Sequence, residues 1–287
     1  MAINWFPGHM NKAQREIKHA LRTIDIVIEV LDARAPYATS NPILRRLRGD
    51  TPCIKVLNKS DLADPKVTAE WLAHFRAQED TRAVALDREK IKQIKALLAE
   101  GRTMLPADRN MDKPVVFMIV GVPNVGKSTL INALANRSIA KTGNVPAVTQ
   151  RQQRISIGKN MALLDTPGIL WPRISPAACG YRLAFTGAIK DNQFDFEELS
   201  FFAAEFLAQR YPESLRTRYK LKEIPEETTE VLHAIASKRG CLGKGGVPNM
   251  NRVAEILIRE FRQGKLGRIT MERPADSVRK DTTEGTS

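Results

Sequence analysis

Residues Gly121–Thr129 read GVPNVGKST, the pattern Gly-x4-Gly-Lys-Ser, set between a strand-like apolar run and a helix-period run. In that setting the pattern carries a mechanism. The backbone N–H groups of Asn124, Val125, Gly126, Lys127, Ser128 and Thr129 would wrap a polyphosphate, and Lys127 would reach its β and γ phosphates. The Ser128 hydroxyl would ligate magnesium, and the helix that follows would turn its positive end to the anion. The alternative is a Gly-rich turn with an incidental Lys-Ser, and the motif alone does not separate ATP from GTP. A second stretch, LLDTPG (Leu163–Gly168), ends an apolar run in Asp165, suited to hold magnesium, with the Gly168 amide placed to sense a γ-phosphate. Thr149, between the two motifs, is the candidate switch threonine and a further magnesium ligand.

A third stretch, NKSD (Asn58–Asp61), also closes an apolar run. Asp61 offers two acceptor oxygens that match the N1–H and N2–H2 donors of guanine, which adenine lacks. Asn58 would brace the loop, Ser60 shares it, and the Lys59 stem would pack on the base. Taken alone, Asn-Lys-Ser-Asp also makes a good surface turn. Together the three motifs make GTP the expected nucleotide. NKSD precedes the phosphate loop, where guanine-nucleotide proteins normally have it downstream. In an open parallel sheet ligands sit beyond the carboxyl ends of the strands, so a chain rotated in sequence keeps its site.

The elements that must position these loops alternate between strand and helix through the first 170 or so residues, the mark of an α/β parallel sheet. IDIVIEVLDA, PCIKVLNKSD, TRAVALD, VVFMIVG, QQRISIG and MALLD read as strands, the last two joined by the turn GKN. NPILRRLRG, DPKVTAEWLAHFRAQ, REKIKQIKALLAEG and GKSTLINALAN read as helices, with Val67, Trp71 and Phe75 on one face of the second. From about Phe194 the chain reads as helical, with one apolar stripe of Leu199, Phe202, Ala203, Phe206 and Leu207 and another of Val253, Ile256, Leu257 and Phe261. The expected fold is α/β, a circularly permuted P-loop domain with a mainly parallel sheet over residues 1–175. A smaller all-α domain follows over 190–275, then a disordered tail over 276–287.

The chain of 287 residues carries 45 Lys and Arg against 32 Asp and Glu, a net charge of +13. Such a field favours anionic partners, nucleic acid above all, although a soluble protein can be merely basic. No apolar run approaches the roughly 18 to 20 residues of a membrane span, so no membrane partner is expected. Cys53, Cys179 and Cys241 lie singly, without metal or redox spacing, and the first residues hold no apolar signal core, which together suggest the cytoplasm.

The order of base motif, phosphate loop, switch threonine and DTPG, with WFPGHMNKA, LDARAP, GCLGKGG and NMNRVAEILIREFRQGKLG, resembles the YlqF/RbgA family of circularly permuted ribosome biogenesis GTPases. The resemblance runs from about Ile3 to Glu272 and implies GTP hydrolysis to GDP, coupled to late assembly of the large (50S) ribosomal subunit. It also implies a monomer whose helical domain contacts rRNA. Where the family shows a Ser-Ala pair in its second guanine loop, this chain has VALD, which leaves the Ala85 backbone as the contact. In the switch segment Ala147 replaces a glycine, at a cost of about 1 kcal/mol if the position needs positive φ.

Ras-like enzymes place a water-orienting glutamine just after the DTPG-type stretch, and here Ile169 stands there. The resemblance proposes His9, in FPGHM, as the catalytic group, an imidazole able to orient or polarise water. Its alternative is an ordinary exposed histidine. The resemblance also makes Asn124 a ligand for potassium, whose charge would act between the β and γ phosphates; a turn-forming role is equally open. Asp32 and Arg34 could face the nucleotide, but a structural ion pair is the better reading. Lys238, Arg239, Lys244, Arg252, Arg259, Arg262, Lys265 and Arg268 are the candidate RNA contacts, weighed against solvated helix faces. The rival function is a GTP-gated RNA-binding placeholder with incidental hydrolysis, which Ile169 in place of glutamine keeps open.

Overall fold

Ile26–Asp32 (β1) is buried at every position because it lies inside a sheet covered on both faces. The computed structural model describes residues 15–87, 91–110, 112–135, 153–157, 160–168, 170–171, 174 and 177–276. Within them the sheet has six strands. Cys53–Asn58 (β2), Thr81–Leu86 (β3) and Val115–Val120 (β4) run parallel with β1, while Gln153–Ile157 (β5) pairs antiparallel with Met161–Asp165 (β6), itself parallel to β4. The spatial order is β3-β2-β1-β4-β6-β5. Strand β1 thus stands between the strand that ends in NKSD and the strand that ends in the phosphate loop, and chain order is decoupled from site order.

Residue alternation along the strands sorts the helices onto the two faces. Val27, Cys53, Met118 and Val120 pack with Ile17 and Ala20 of α1, described over residues 15–20, and with Leu44, while Leu31, Leu57 and Ala83 meet Val67, Trp71 and Phe75. Ile26, Ile28, Val30, Ile54, Phe117 and Ile119 face the other way. Four-residue Pro36–Thr39 (α2) leads to Pro42–Arg48 (α3) and Pro65–Arg76 (α4). The last two begin at an Asn or Asp cap followed by proline: Asn41 accepts from Ile43 N, and Asp64 from Lys66 N and Val67 N. Ile91–Arg102 (α5) and Lys127–Ala135 (α6) complete the α/β part.

Ala177–Thr186 (α7) opens the helical region ahead of the expected start near Phe194. It escapes pattern reading because, opposite the buried Cys179, Gly180, Leu183, Ala184, Phe185 and Thr186, the outer side of Ala177, Ala178, Tyr181 and Arg182 holds a single charge, so little polar contrast marks its period. Phe196–Arg210 (α8), Pro212–Tyr219 (α9), Thr228–Arg239 (α10) and Met250–Arg262 (α11) follow. On α8 the buried face is Leu199, Ser200, Ala203, Ala204 and Leu207, while Phe202 and Phe206 flank it half-buried, Phe202 stacking on Tyr181. On α11 Val253, Leu257 and Phe261 are buried and Ile256 is half-buried. One apolar cluster runs from Ile28 and Phe117 of the sheet through Leu183 to Leu207, Ile235 and Leu257, so helices and sheet share a core. Among the described residues no helix is long and apolar enough to cross a membrane, and the three cysteines are buried thiols.

Candidate functional site

The carboxyl ends of β1, β2, β4 and β6 bring Asp32, Asn58, Gly121 and Asp165 to one edge of the sheet. After β4 the phosphate loop turns through Asn124 at φ 59° and Gly126 at φ 100° before α6 begins at Lys127. Glycine is required at 126 twice over: a side chain there would take a strained backbone, and its Cβ would lie 2.2 Å from Asn58 Nδ2. That Nδ2 donates to the Val125 carbonyl at 2.7 Å, so Asn58 ties the base loop to the phosphate loop.

Lys127 is buried and its Nζ donates to the Gly121 and Val122 carbonyls, each at 3.0 Å. Burial pushes its pKa down to about 8, against the opposite pull of the Asp165 carboxylate. Gly168 approaches closely: a Cβ there would sit 3.0 Å from Lys127 Nζ and from Pro123 Cα. Asp165, buried, pairs in register with Ile119, and the next residue, Thr166, donates its hydroxyl to the Ile119 carbonyl at 2.7 Å. Ser128, half-buried, is the second residue of α6, and Thr129 beside it is exposed. Among the described residues no three His, Cys, Asp or Glu side chains gather as a metal cage. Magnesium does not ask for one: it takes one or two protein oxygens and completes its shell with phosphate and water. A serine hydroxyl and a buried carboxylate on adjoining elements suit it.

On the guanine side Lys59 adopts φ 60°, and its Nζ donates to Asp32 Oδ2 and to the Asn124 carbonyl, both at 2.8 Å. The expected packing of its stem on the base is thereby joined by a clamp across the two loops. Asp32 also receives a fork from Arg34, at 2.9 and 2.8 Å, and the Arg34 backbone N–H at 3.1 Å. Burial alone would raise the Asp32 pKa, but Arg34 and Lys59 together hold it below the usual carboxylate range. Asp32 and Arg34 are therefore a buried ion pair, and the Asp32 carboxylate also anchors Lys59. Asp61 Oδ1 is buried and has no hydrogen-bond partner among the described residues. A buried carboxylate oxygen without a donor is costly, and the N1–H and N2–H2 edge of a guanine would supply what it lacks. Ala85, half-buried near the end of β3, pairs in register with Leu57, one residue before Asn58.

Sequence reasoning missed the tie between the phosphate loop and the helical region: Asn124 Nδ2 donates to the Gly187 carbonyl, just beyond α7, at 2.7 Å. No pattern around Gly187 signals it. Nor does charge density reveal which basic residues face outward. Lys238, Arg252, Arg259, Lys265 and Arg268 are exposed. Arg239 and Arg262 are half-buried and turned inward. Arg239 pairs with Glu260 at 2.9 Å and lies over Tyr219, while Arg262 donates to the Phe185 and Ala184 carbonyls and pairs with Asp191 at 2.8 Å. His9, Ala147, Thr149 and Ile169 lie outside the described residues, as do the Lys244 side chain and the tail beyond 276.

Residues 116–202 match the family model described as 50S ribosome-binding GTPase. Over 281 residues the chain is 46% identical to ribosome biogenesis GTPase A of Bacillus pumilus, covering 96% of this chain and 99% of that one. Solved structures of YlqF superpose with a TM-score of 0.65 at 31% identity. The GDP-bound form is covered whole by 91% of this chain, and 98% of GNP-bound YlqF from T. maritima is covered by 92% of it.

Proposed function

Since the chain belongs to the ribosome biogenesis GTPase A family, we propose that this GTPase of ribosome assembly binds the large-subunit precursor in its GTP state and leaves after hydrolysis. The observation that carries the reading is the orphaned, buried Asp61 oxygen in a loop clamped onto the phosphate loop by Asn58 and Lys59. Asp61 reads guanine, with the Ala85 backbone beside it. Lys127 and the loop amides hold the phosphates, where the lysine ammonium favours the charge that builds in the transition state. Ser128, Thr149 and Asp165 would hold magnesium in this reading, and the ion would supply neutralisation of phosphate charge. Asn124 serves potassium through its amide oxygen, its nitrogen being given to Gly187. His9 orients the attacking water, a role Ile169 cannot fill.

The exposed set Lys238, Arg252, Arg259, Lys265 and Arg268 meets rRNA phosphates, with the protein acting as a monomer in the cytoplasm. Arg239 and Arg262 support that face from within. Cosedimentation with large ribosomal subunits tests the cycle: binding is expected with a non-hydrolysable GTP analogue and loss of binding with GDP. Equal binding in both states contradicts it. Ile169 favours the second reading, a placeholder for which occupancy alone matters. That reading predicts GTP-state binding with hydrolysis that the particle does not accelerate.

A further inference from the structure

The chain beyond α11 returns to the guanine-reading loop. Through Gln263–Arg268 it reaches the buried run Ile269, Thr270, Met271 and Glu272, which lies across the segments that follow β1 and β2. Ile269 N donates to the Leu62 carbonyl at 3.1 Å, and Asp64 N donates to Thr270 Oγ1 at 3.1 Å. Both bonds fall at the C-terminal end of the 3-10 turn Ser60–Leu62 that carries Asp61. The same Thr270 hydroxyl donates to the Ala33 carbonyl at 3.3 Å, so one side chain joins the segment after β1 to the segment after β2. Its backbone is held in turn by Tyr211 of the helical region, whose hydroxyl accepts from Thr270 N at 3.2 Å and lies 3.1 Å from the Thr270 carbonyl. That hydroxyl is also 3.3 Å from Asp64 Oδ2, on the N-cap of α4.

The rest of the run is fixed as firmly. Met271 N donates to the Arg34 carbonyl at 2.7 Å, Glu272 Oε1 accepts from Ala38 N at 2.8 Å, and Trp71 Nε1 donates to the Glu272 carbonyl at 2.9 Å. Upstream, Gly264 presses on Leu62 so closely that a Cβ there would meet the leucine side chain at 2.6 Å. Apart from Tyr211 and the Arg182–Glu272 pair at 3.3 Å, which tie the run to the helical region, these contacts fall on the segments after β1 and β2 and on α4. Two bonds from Asp61 to guanine need the carboxylate plane and the base edge aligned, and small displacements cost such paired bonds first.

We propose that Thr270, seated by Tyr211, is a positioning residue for guanine recognition: the returning C-terminal run holds Leu62 and Asp64 so that Asp61 meets both N1–H and N2–H2. The helical region is then part of the base reader as well as a carrier of basic residues.

Equilibrium binding of GTP, inosine triphosphate and inorganic triphosphate to the full chain tests this. Inosine lacks the 2-amino group and so keeps one of the two donors to Asp61. Thr270→Val keeps the shape and removes the hydroxyl. It is expected to weaken GTP about five- to tenfold, the worth of one or two buried hydrogen bonds, to weaken inosine triphosphate less, and to leave inorganic triphosphate unchanged. Thr270→Ser restores the parental ratio, and Tyr211→Phe shifts it in the same direction as Thr270→Val, which covers the case in which the valine variant does not fold. Parental GTP affinity and parental GTP-to-inosine ratio in both Thr270→Val and Tyr211→Phe overturns the proposal. So does an equal loss for GTP and inorganic triphosphate, the signature of general loosening.

Discussion

Charged side chains behave differently at the nucleotide loops and on the helices. At the loops, the cations that the motifs name are tied by short bonds: Lys127 to Gly121 and Val122 at the start of its own loop, Lys59 to Asp32 at the end of β1 and to Asn124 of the phosphate loop. On the helices, basic residues that composition groups together divide into an exposed set and an inward pair, Arg239 and Arg262. A motif fixes each residue's task because backbone geometry at fixed spacing brings the groups to one point. Charge density fixes only a net field, and helix packing then decides which arginine faces water.

The largest effect expected belongs to the loops. Asp61→Asn should lower GTP affinity by about a hundredfold or more and raise affinity for xanthosine triphosphate, whose extra carbonyl reverses one donor-acceptor pair. Unchanged GTP binding would remove NKSD from the site and collapse the contrast. Next comes the exposed helical set. Replacing Arg252, Arg259 and Lys265 by alanine should flatten the salt dependence of large-subunit binding by about two to three units of slope, with the midpoint of urea unfolding unchanged. A slope equal to the parent's would place the RNA face elsewhere.

The inward pair should respond in the opposite sense. Arg262→Ala removes the donor to the Ala184 and Phe185 carbonyls and the partner of Asp191, and should cost about 1 to 2 kcal/mol in urea unfolding while leaving the salt slope close to parental. A changed slope with full stability would return Arg262 to the exposed set.

The smallest effect is a pH signature of Lys127. Its folded pKa, about 8, lies below the ordinary 10.5, so the unfolded chain binds the extra proton between those values. Stability of the nucleotide-free protein should therefore rise with pH across that window. Affinity for GTP should fall over the same range, because phosphate needs the ammonium. Both trends should vanish in Lys127→Met, as urea unfolding across that window and titration calorimetry restricted to its lower end, below the pH at which guanine N1–H itself is lost, would report. A parental trend surviving in that variant would assign it to another group.

The strands were legible because β1, β2 and β4 are nearly continuous apolar runs, and the starts of α3 and α4 because Asn-Pro and Asp-Pro announce a cap. The base loop and phosphate loop were legible from residue types at fixed spacing. Helix α7 was not, since Arg182 is its one charged residue and its outer side gives the period little polar contrast. The Asn124–Gly187 bond and the return of Thr270 to Asp64 were illegible for a different reason: each joins residues far apart in the chain through one polar group, and local sequence carries no trace of such a partner.

Single-turnover GTP hydrolysis, with and without isolated large ribosomal subunits and in potassium, tests most directly whether the particle completes the catalytic site. The parent protein should be slow alone and about a hundredfold or more faster on the particle, and His9→Ala should lose most of that gain at nearly unchanged GTP affinity. A His9→Ala protein that hydrolyses GTP on the particle as fast as the parent would contradict the assignment of His9. A parent protein that no large-subunit preparation accelerates would contradict the account as a whole.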